Sequence, residues 1–233
     1  MKDKSDYVKN LFNKLAVKYD FMNDLITGGL HRNWKTKICK LLKLKSDNHV
    51  LDIACGTGDI CFKLQKKYSK NNLNITGIDF SENMLDIARK KNKYKNIEFL
   101  KADALNLPFE DNFFDAITLS YALRNMSDYK TCLLEANRVC KKNGQIIILD
   151  MSYPNKFTDL ITKFYRFTII PILGKIFVEN LEAYSYLTNS IYLYLKQEEL
   201  CDLLKNTGWY KINYTNLLGG ISSIHQAKKL FYS

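Results

Sequence analysis

Apolar residues change their spacing several times along this chain, and each change marks an element. Val8, Leu11, Phe12, Leu15 and Tyr19 recur at the period of one helix face. Trp34, Ile38, Leu41 and Leu42 repeat that pattern and predict a second helix over residues 33–44. Val50, Leu51 and Ile53 then form a short apolar run that suits a buried parallel strand. A helix follows over 59–68 and a second strand over 75–78. Ser81 is placed to cap a helix over 82–93. Strands are predicted over 97–101 and 116–120. A helix over 128–142 ends at Asn143-Gly144, a helix-stop signal. A strand over 145–150 comes next. Residues 157–194 are dense in Phe, Tyr, Leu and Ile. A helix over 197–206 stops at Gly208, and strands over 210–216 and 222–227 close the chain as an antiparallel edge hairpin.

Seven strands alternating with helices imply right-handed crossovers and a doubly wound, mostly parallel α/β sheet of Rossmann-like type. A chain of 233 residues with 3 prolines and no linker-like stretch reads as one domain, 1–233. Helices occupy its first 46 residues. The stretch 157–195 reads either as ordinary helix core or as a helical cover over a site.

The chemistry is concentrated in residues 49–59, His-Val-Leu-Asp-Ile-Ala-Cys-Gly-Thr-Gly-Asp. Gly56 and Gly58 allow a tight turn and close approach of backbone to a ligand. An acid, Asp79, ends the second strand. In such sheets ligands lie outside the carboxyl ends of the strands, and an acid about 20 residues on holds a ribose. The pattern therefore places an adenosine-type ligand at the tip of the first strand. A nicotinamide fingerprint requires a third glycine, and that position is Cys61. Instead Ala54, Gly56 and Gly58, small residues at alternate positions between Asp52 and Asp59, resemble motif I of class I S-adenosylmethionine-dependent methyltransferases, with alanine at the usual first glycine.

Charge modifies this picture little. The chain carries +11, but 30 Lys stand against 5 Arg and are spread over most predicted helices. That distribution argues against a nucleic-acid partner and is compatible with an anionic membrane surface. The apolar stretch 167–178 contains Pro171 and Lys175 and is too short to span a bilayer. Residues 1–10 are charged throughout, so no secretory signal is expected. The six cysteines lack metal or redox spacing and read as buried reduced thiols, and Cys55 lacks a His partner nearby in sequence. No metal is expected.

Further segments narrow the resemblance. Tyr19-Asp-Phe-Met-Asn-Asp-Leu with Gly29-Leu-His-Arg-Asn-Trp-Lys35, Leu107-Pro-Phe-Glu-Asp-Asn with Phe114-Asp115, and Leu123-Arg-Asn-Met-Ser-Asp128 all recur in one family. So do Pro171-Ile-Leu-Gly174, Tyr184-Ser-Tyr-Leu187 and Gly219-Gly-Ile-Ser-Ser-Ile-His225. Over nearly its whole length the chain resembles the ubiquinone/menaquinone biosynthesis C-methyltransferases, which act on polyprenylated quinol precursors. It departs at Tyr121-Ala122, where Phe-Gly is usual, and at Asp150-Met-Ser-Tyr-Pro, where a Glu-Phe-Ser-Lys-Pro type is usual.

The resemblance implies S-adenosylmethionine as cofactor, contacted by Gly56, Thr57, Gly58, Asp79, Asp103, Ala104 and Ser120. It implies a ring carbon beside a phenolic hydroxyl as methyl acceptor. A phenol's ordinary pKa is near 10, so some group must stabilise the phenolate or take its proton. Arg124 is the first candidate. Asn125, Asp128, Tyr184 and His225 are the others. Membrane contact through the apolar cover is expected, with cytoplasmic or organelle-matrix residence and either a homodimer or a biosynthetic complex. The competing readings are a class I methyltransferase acting on RNA or another small molecule, and a non-catalytic cofactor-binding protein. No Pro-Pro pair exists, so the N-P-P-Y motif of amino-methylating enzymes is absent.

Overall fold

The computed structural model describes residue 24, residues 27–154, residue 158 and residues 194–230. The predicted first helix and most of 157–195 lie outside these residues. The described elements run α1 (Leu30–Leu41), β1 (His49–Ile53), α2 (Asp59–Lys67), β2 (Asn74–Asp79), α3 (Glu82–Lys91), β3 (Ile97–Lys101), β4 (Phe114–Ser120), α4 (Tyr129–Val139), β5 (Cys140–Met151), α5 (Gln197–Asn206), β6 (Trp209–Leu217) and β7 (Ser222–Lys229).

The strands form one seven-stranded sheet in the order β3-β2-β1-β4-β5-β7-β6. β1 to β5 are parallel, and β7 enters antiparallel between β5 and β6. The doubly wound reading and the antiparallel edge hairpin are both borne out. Strand order reverses between β1 and β4, and ligands bind at such a reversal.

Alternation along β1 assigns the two cores. Val50 packs with Ile38 of α1, Ile60 and Leu64 of α2 and Leu85 of α3 on one face. Leu51 and Ile53 pack with Leu133 of α4, Leu200 of α5 and Trp209 on the other. Both layers are closed, which is why the parallel strands read as continuous apolar runs.

One boundary requires correction. The helix predicted over 128–142 ends at Val139, and residues 140–151 form β5. Cys140 is fully buried and pairs with Phe114, so tertiary packing claims it for the sheet. The register then shifts between Phe114 and Ala116, and Asn143 has a left-handed φ of 60°. A Cβ at Gly144 would lie 2.8 Å from the Lys141 carbonyl oxygen. Asn143-Gly144 is therefore an irregularity inside a strand, not a helix cap. α1 also begins earlier than predicted, at Leu30 behind Gly29. Ser81 caps α3 as expected, its Oγ accepting the Met84 N–H at 3.3 Å.

Candidate active site

The glycine loop leaves β1 at its carboxyl end. Ala54, Gly56 and Gly58 all take left-handed φ values, 54°, 55° and 85°. Two of these positions demand glycine for different reasons. A Cβ on Gly58 would meet the rings of Phe62 and Phe99, both at 2.9 Å. A Cβ on Gly56 would meet nothing within 4 Å, so the space over that turn is open. Cys61, at the failed third fingerprint position, is buried on α2 with its Sγ 3.6 Å from Asp52 Oδ2. The other cysteines are free, and all but Cys201 are buried. Burial holds the Cys55 thiol well above its ordinary pKa, which leaves it protonated and inert.

Asp79 ties the tip of β2 to this loop. Its Oδ2 accepts the Gly56 N–H at 2.9 Å, and its Oδ1 accepts the Ser81 N–H at 2.9 Å. Burial raises its pKa to about 6 despite these bonds, which favour the carboxylate. Asp52 beneath it accepts from Thr118 Oγ1 at 2.7 Å, linking β1 to β4. Burial pushes Asp52 up to about 7.

Thr57 is buried in the loop. Asp103 is exposed after β3, where its Oδ1 accepts the Leu105 N–H at 2.9 Å in a local turn, and Ala104 beside it is buried. Ser120 ends β4. Its Oγ is buried and has no hydrogen-bond partner among the described residues. A hydroxyl left in this condition costs free energy unless a ligand completes it. Open space over Gly56 and an uncompleted hydroxyl at Ser120, at neighbouring strand ends, fit a bound adenosine-type cofactor.

Beyond Ser120 the backbone is strained. Tyr121 takes a φ of 58°, unusual for a bulky residue and a mark of functional sites. Its N–H donates to the Leu149 carbonyl at 2.7 Å. The strain launches a short 3-10 turn, Leu123–Asn125, which carries Arg124. Arg124 is buried and forms an ion pair with Asp150 at the end of β5, and its own N–H reaches Asp150 Oδ2 at 3.2 Å. Its guanidinium also lies 5.7 Å from the centre of the Tyr121 ring. Asn125 donates to the Tyr121 carbonyl at 3.2 Å. Tyr129 and Tyr194 meet edge to face nearby, at 5.6 Å, and the Tyr194 hydroxyl is buried without a hydrogen-bond partner among the described residues.

The remaining sequence candidates fall elsewhere. Asp128 caps α4, accepting from Thr131 N at 3.0 Å and Thr131 Oγ1 at 2.7 Å. Its replacement by alanine is expected to cost about 1 kcal/mol, with turnover per folded molecule unchanged; urea denaturation and a methyl-transfer assay check this. His225 on β7 is buried, stacks on Tyr214 at 5.3 Å, and places Nε2 3.0 Å from the Gln197 carbonyl oxygen. It fastens α5 to the hairpin. Tyr184 lies outside the described residues.

The family model for ubiE/COQ5 methyltransferases matches residues 1–229. This chain belongs to that family. The ubiquinone/menaquinone biosynthesis C-methyltransferases UbiE of Rickettsia felis and Rickettsia bellii are each 42% identical to it, over 97% and 98% of this chain and 94% of each relative. Among solved structures, a Haloferax volcanii methyltransferase complex with the activator Trm112 aligns with a TM-score of 0.71 at 14% identity, over 97% of this chain and 99% of that one. A Haemonchus contortus phosphoethanolamine N-methyltransferase 2, solved with S-adenosylhomocysteine, gives 0.69 at 16% identity over 96% of this chain and 60% of that one. These likenesses show the class I methyltransferase fold. For the ubiE/COQ5 member described here, the glycine loop, Asp79 and Ser120 stand together at the strand ends. Asp150, Tyr129 and Tyr194 join Arg124 without having been singled out as site residues. For Asp150 a signal existed, an acid near the end of β5, the strand beside β4 in the sheet.

Proposed function

We propose that the chain is an S-adenosylmethionine-dependent C-methyltransferase that methylates the ring of a polyprenylated quinol precursor in ubiquinone or menaquinone biosynthesis. Membership in the ubiE/COQ5 family over residues 1–229 carries this reading. Asp79 would take the ribose hydroxyls, Asp103 and Ala104 the adenine, and Gly56, Thr57, Gly58 and Ser120 the methionine side. When bound, the cofactor supplies an already activated methyl group on a sulfonium. The protein's task is then to hold the acceptor carbon in line and make it nucleophilic, and positioning alone is worth up to roughly 7–11 kcal/mol. The buried Arg124 guanidinium would stabilise the phenolate formed when the quinol hydroxyl loses its proton, with Asp150 fixing its orientation. Tyr121, Tyr129 and Tyr194 would wall the ring. Methyl transfer to the ring carbon is completed by loss of that carbon's proton, which restores aromaticity and releases one net proton to solvent for each methyl group transferred.

No helix among the described residues is long and apolar enough to cross a membrane. Contact with the membrane that holds the prenyl tail is assigned to residues 157–195. A methyl-transfer assay in detergent with prenylated benzoquinol and naphthoquinol precursors tests the reading. Methylation of RNA with none of either quinol would sink it.

Asp79→Ala is expected to weaken S-adenosylhomocysteine at least tenfold, since a hydrogen bond to a charged group contributes roughly 1.5–3 kcal/mol. Calorimetry reads the loss, and circular dichroism reads the fold. Wild-type affinity should also depend on pH. Hydroxyl donors favour the ionised carboxylate, so binding lowers the Asp79 pKa from about 6 and releases a proton. Affinity then rises with pH up to about 6 and levels off above it. Stability of the ligand-free protein has the opposite sign. Asp52 and Asp79 bind protons more tightly folded than unfolded, so their contribution is complete below the ordinary carboxylate pKa and is lost as pH climbs to about 7.

A further inference from the structure

His31 is 2% exposed at the start of α1, outside the set of residues assigned above to the cofactor. Its Nε2 lies 2.9 Å from Asp24 Oδ1. Arg32 also donates to Asp24, at 2.6 Å through Nε, and holds that carboxyl down at about 2. Asp24 is therefore ionised at neutral pH and can only accept, so Nε2 carries the ring hydrogen. Burial, assisted by the Lys35 charge, lowers the His31 pKa and keeps the ring neutral. Nδ1 is then a bare lone pair. It is buried and has no hydrogen-bond partner among the described residues. Such an atom requires an N–H or O–H donor.

Contacts between α1 and α2 place the start of α1. Lys35 Nζ pairs with Asp59 Oδ2 at 2.9 Å, Lys63 Nζ reaches Thr36 Oγ1 at 3.4 Å, and Lys67 Nζ reaches the Cys39 carbonyl at 2.7 Å. Residue numbers rise together on both helices, so the two run parallel. Asp59 directly follows Gly58 of the glycine loop. His31 lies one turn before Lys35 and thus stands beyond α2's first residue, over the carboxyl edge of the sheet. Among the described residues, Asp24, Arg32, Lys35 and Asp59 are the charged groups around it.

We propose that His31 Nδ1 accepts a hydrogen bond from the α-ammonium of the methyl donor's amino-acid end, making His31 a binding residue of the cofactor site. The inference rests on the proposed use of that donor. Asp79 and Asp103 serve the nucleoside half, whereas this contact serves the half beyond the sulfur.

Calorimetry on the full chain, wild type against His31→Gln and His31→Ala, tests this with three ligands. They are S-adenosylhomocysteine, its deamino analogue S-(5′-adenosyl)-4-thiobutyrate, and 5′-methylthioadenosine, which lacks the amino-acid end. Gln reaches the Nε2 position and keeps the Asp24 bond, but offers no acceptor at Nδ1. Both variants should lose about tenfold or more for S-adenosylhomocysteine, as one charge-assisted bond is lost. Affinity for the other two ligands should stay the same, which also shows the pocket intact. Equal losses for all three ligands would make His31 merely structural and overturn the inference. Unchanged S-adenosylhomocysteine affinity with a raised quinol KM would assign Nδ1 to the methyl acceptor and overturn it too. Wild-type protein that binds none of the three would remove the donor reading and this inference together.

Discussion

Arg124→Lys is expected to lose about 100- to 1,000-fold in kcat, the scale for removing one preorganised donor from developing negative charge, while S-adenosylhomocysteine affinity barely changes. Lysine keeps the charge but not the planar fork that serves Asp150 and a phenolate together. The loss should shrink as pH rises, because the quinol hydroxyl then ionises unaided. A pH–rate profile on the variant reads this directly. Equal losses at every pH would make Arg124 an ion-pair partner for the loop and nothing more. The proton acceptor would then have to be sought elsewhere, and His225 is a poor choice. Its Nε2 is engaged with Gln197, and burial lowers its pKa.

Asp150→Ala is expected to remove roughly 3–5 kcal/mol of stability, because it strands a buried guanidinium without its counter-charge. Asp150 and Arg124 are 2% and 6% exposed, so water cannot take over the lost partner. The urea midpoint should fall with an unchanged slope. Asp150→Glu should recover most of the loss, since the carboxylate survives with one more methylene. A loss under about 1 kcal/mol from the alanine variant would equate this pair with a solvated surface bridge. The turnover of any folded Asp150→Ala protein should fall with it, as Arg124 loses its fixed orientation.

The position of Asp79 was legible from the sequence because it is set locally. An acid closing the strand after a glycine loop has one place to go in a parallel sheet, and the structure puts it 2.9 Å from the Gly56 nitrogen. The position of Ser120 was legible for the same reason, as the last residue of a strand. The Arg124 partner was not. Asp150 is 26 residues away and comes beside Arg124 only because β5 pairs with β4 in the register Ser120↔Leu149. Asp128 and His225 show the converse. Their residue types suit proton chemistry, yet one lies at a helix start and the other under α5, where backbone groups use them.

The sequence by itself determined the fold class, the glycine loop and the ends of most strands. Hydrophobic period and turn chemistry act within a few residues, so they are read without knowing which elements meet. Tertiary structure alone decided three things. It drew Cys140 out of a predicted helix into β5, because a buried pairing with Phe114 outweighs local helix preference. It joined Arg124 to Asp150 by strand register. It stood α1 alongside α2, so that Lys35 in the N-terminal segment reaches Asp59, the residue that follows the glycine loop. Each depends on which surfaces meet across the sheet, and side-chain spacing along one chain carries no record of that.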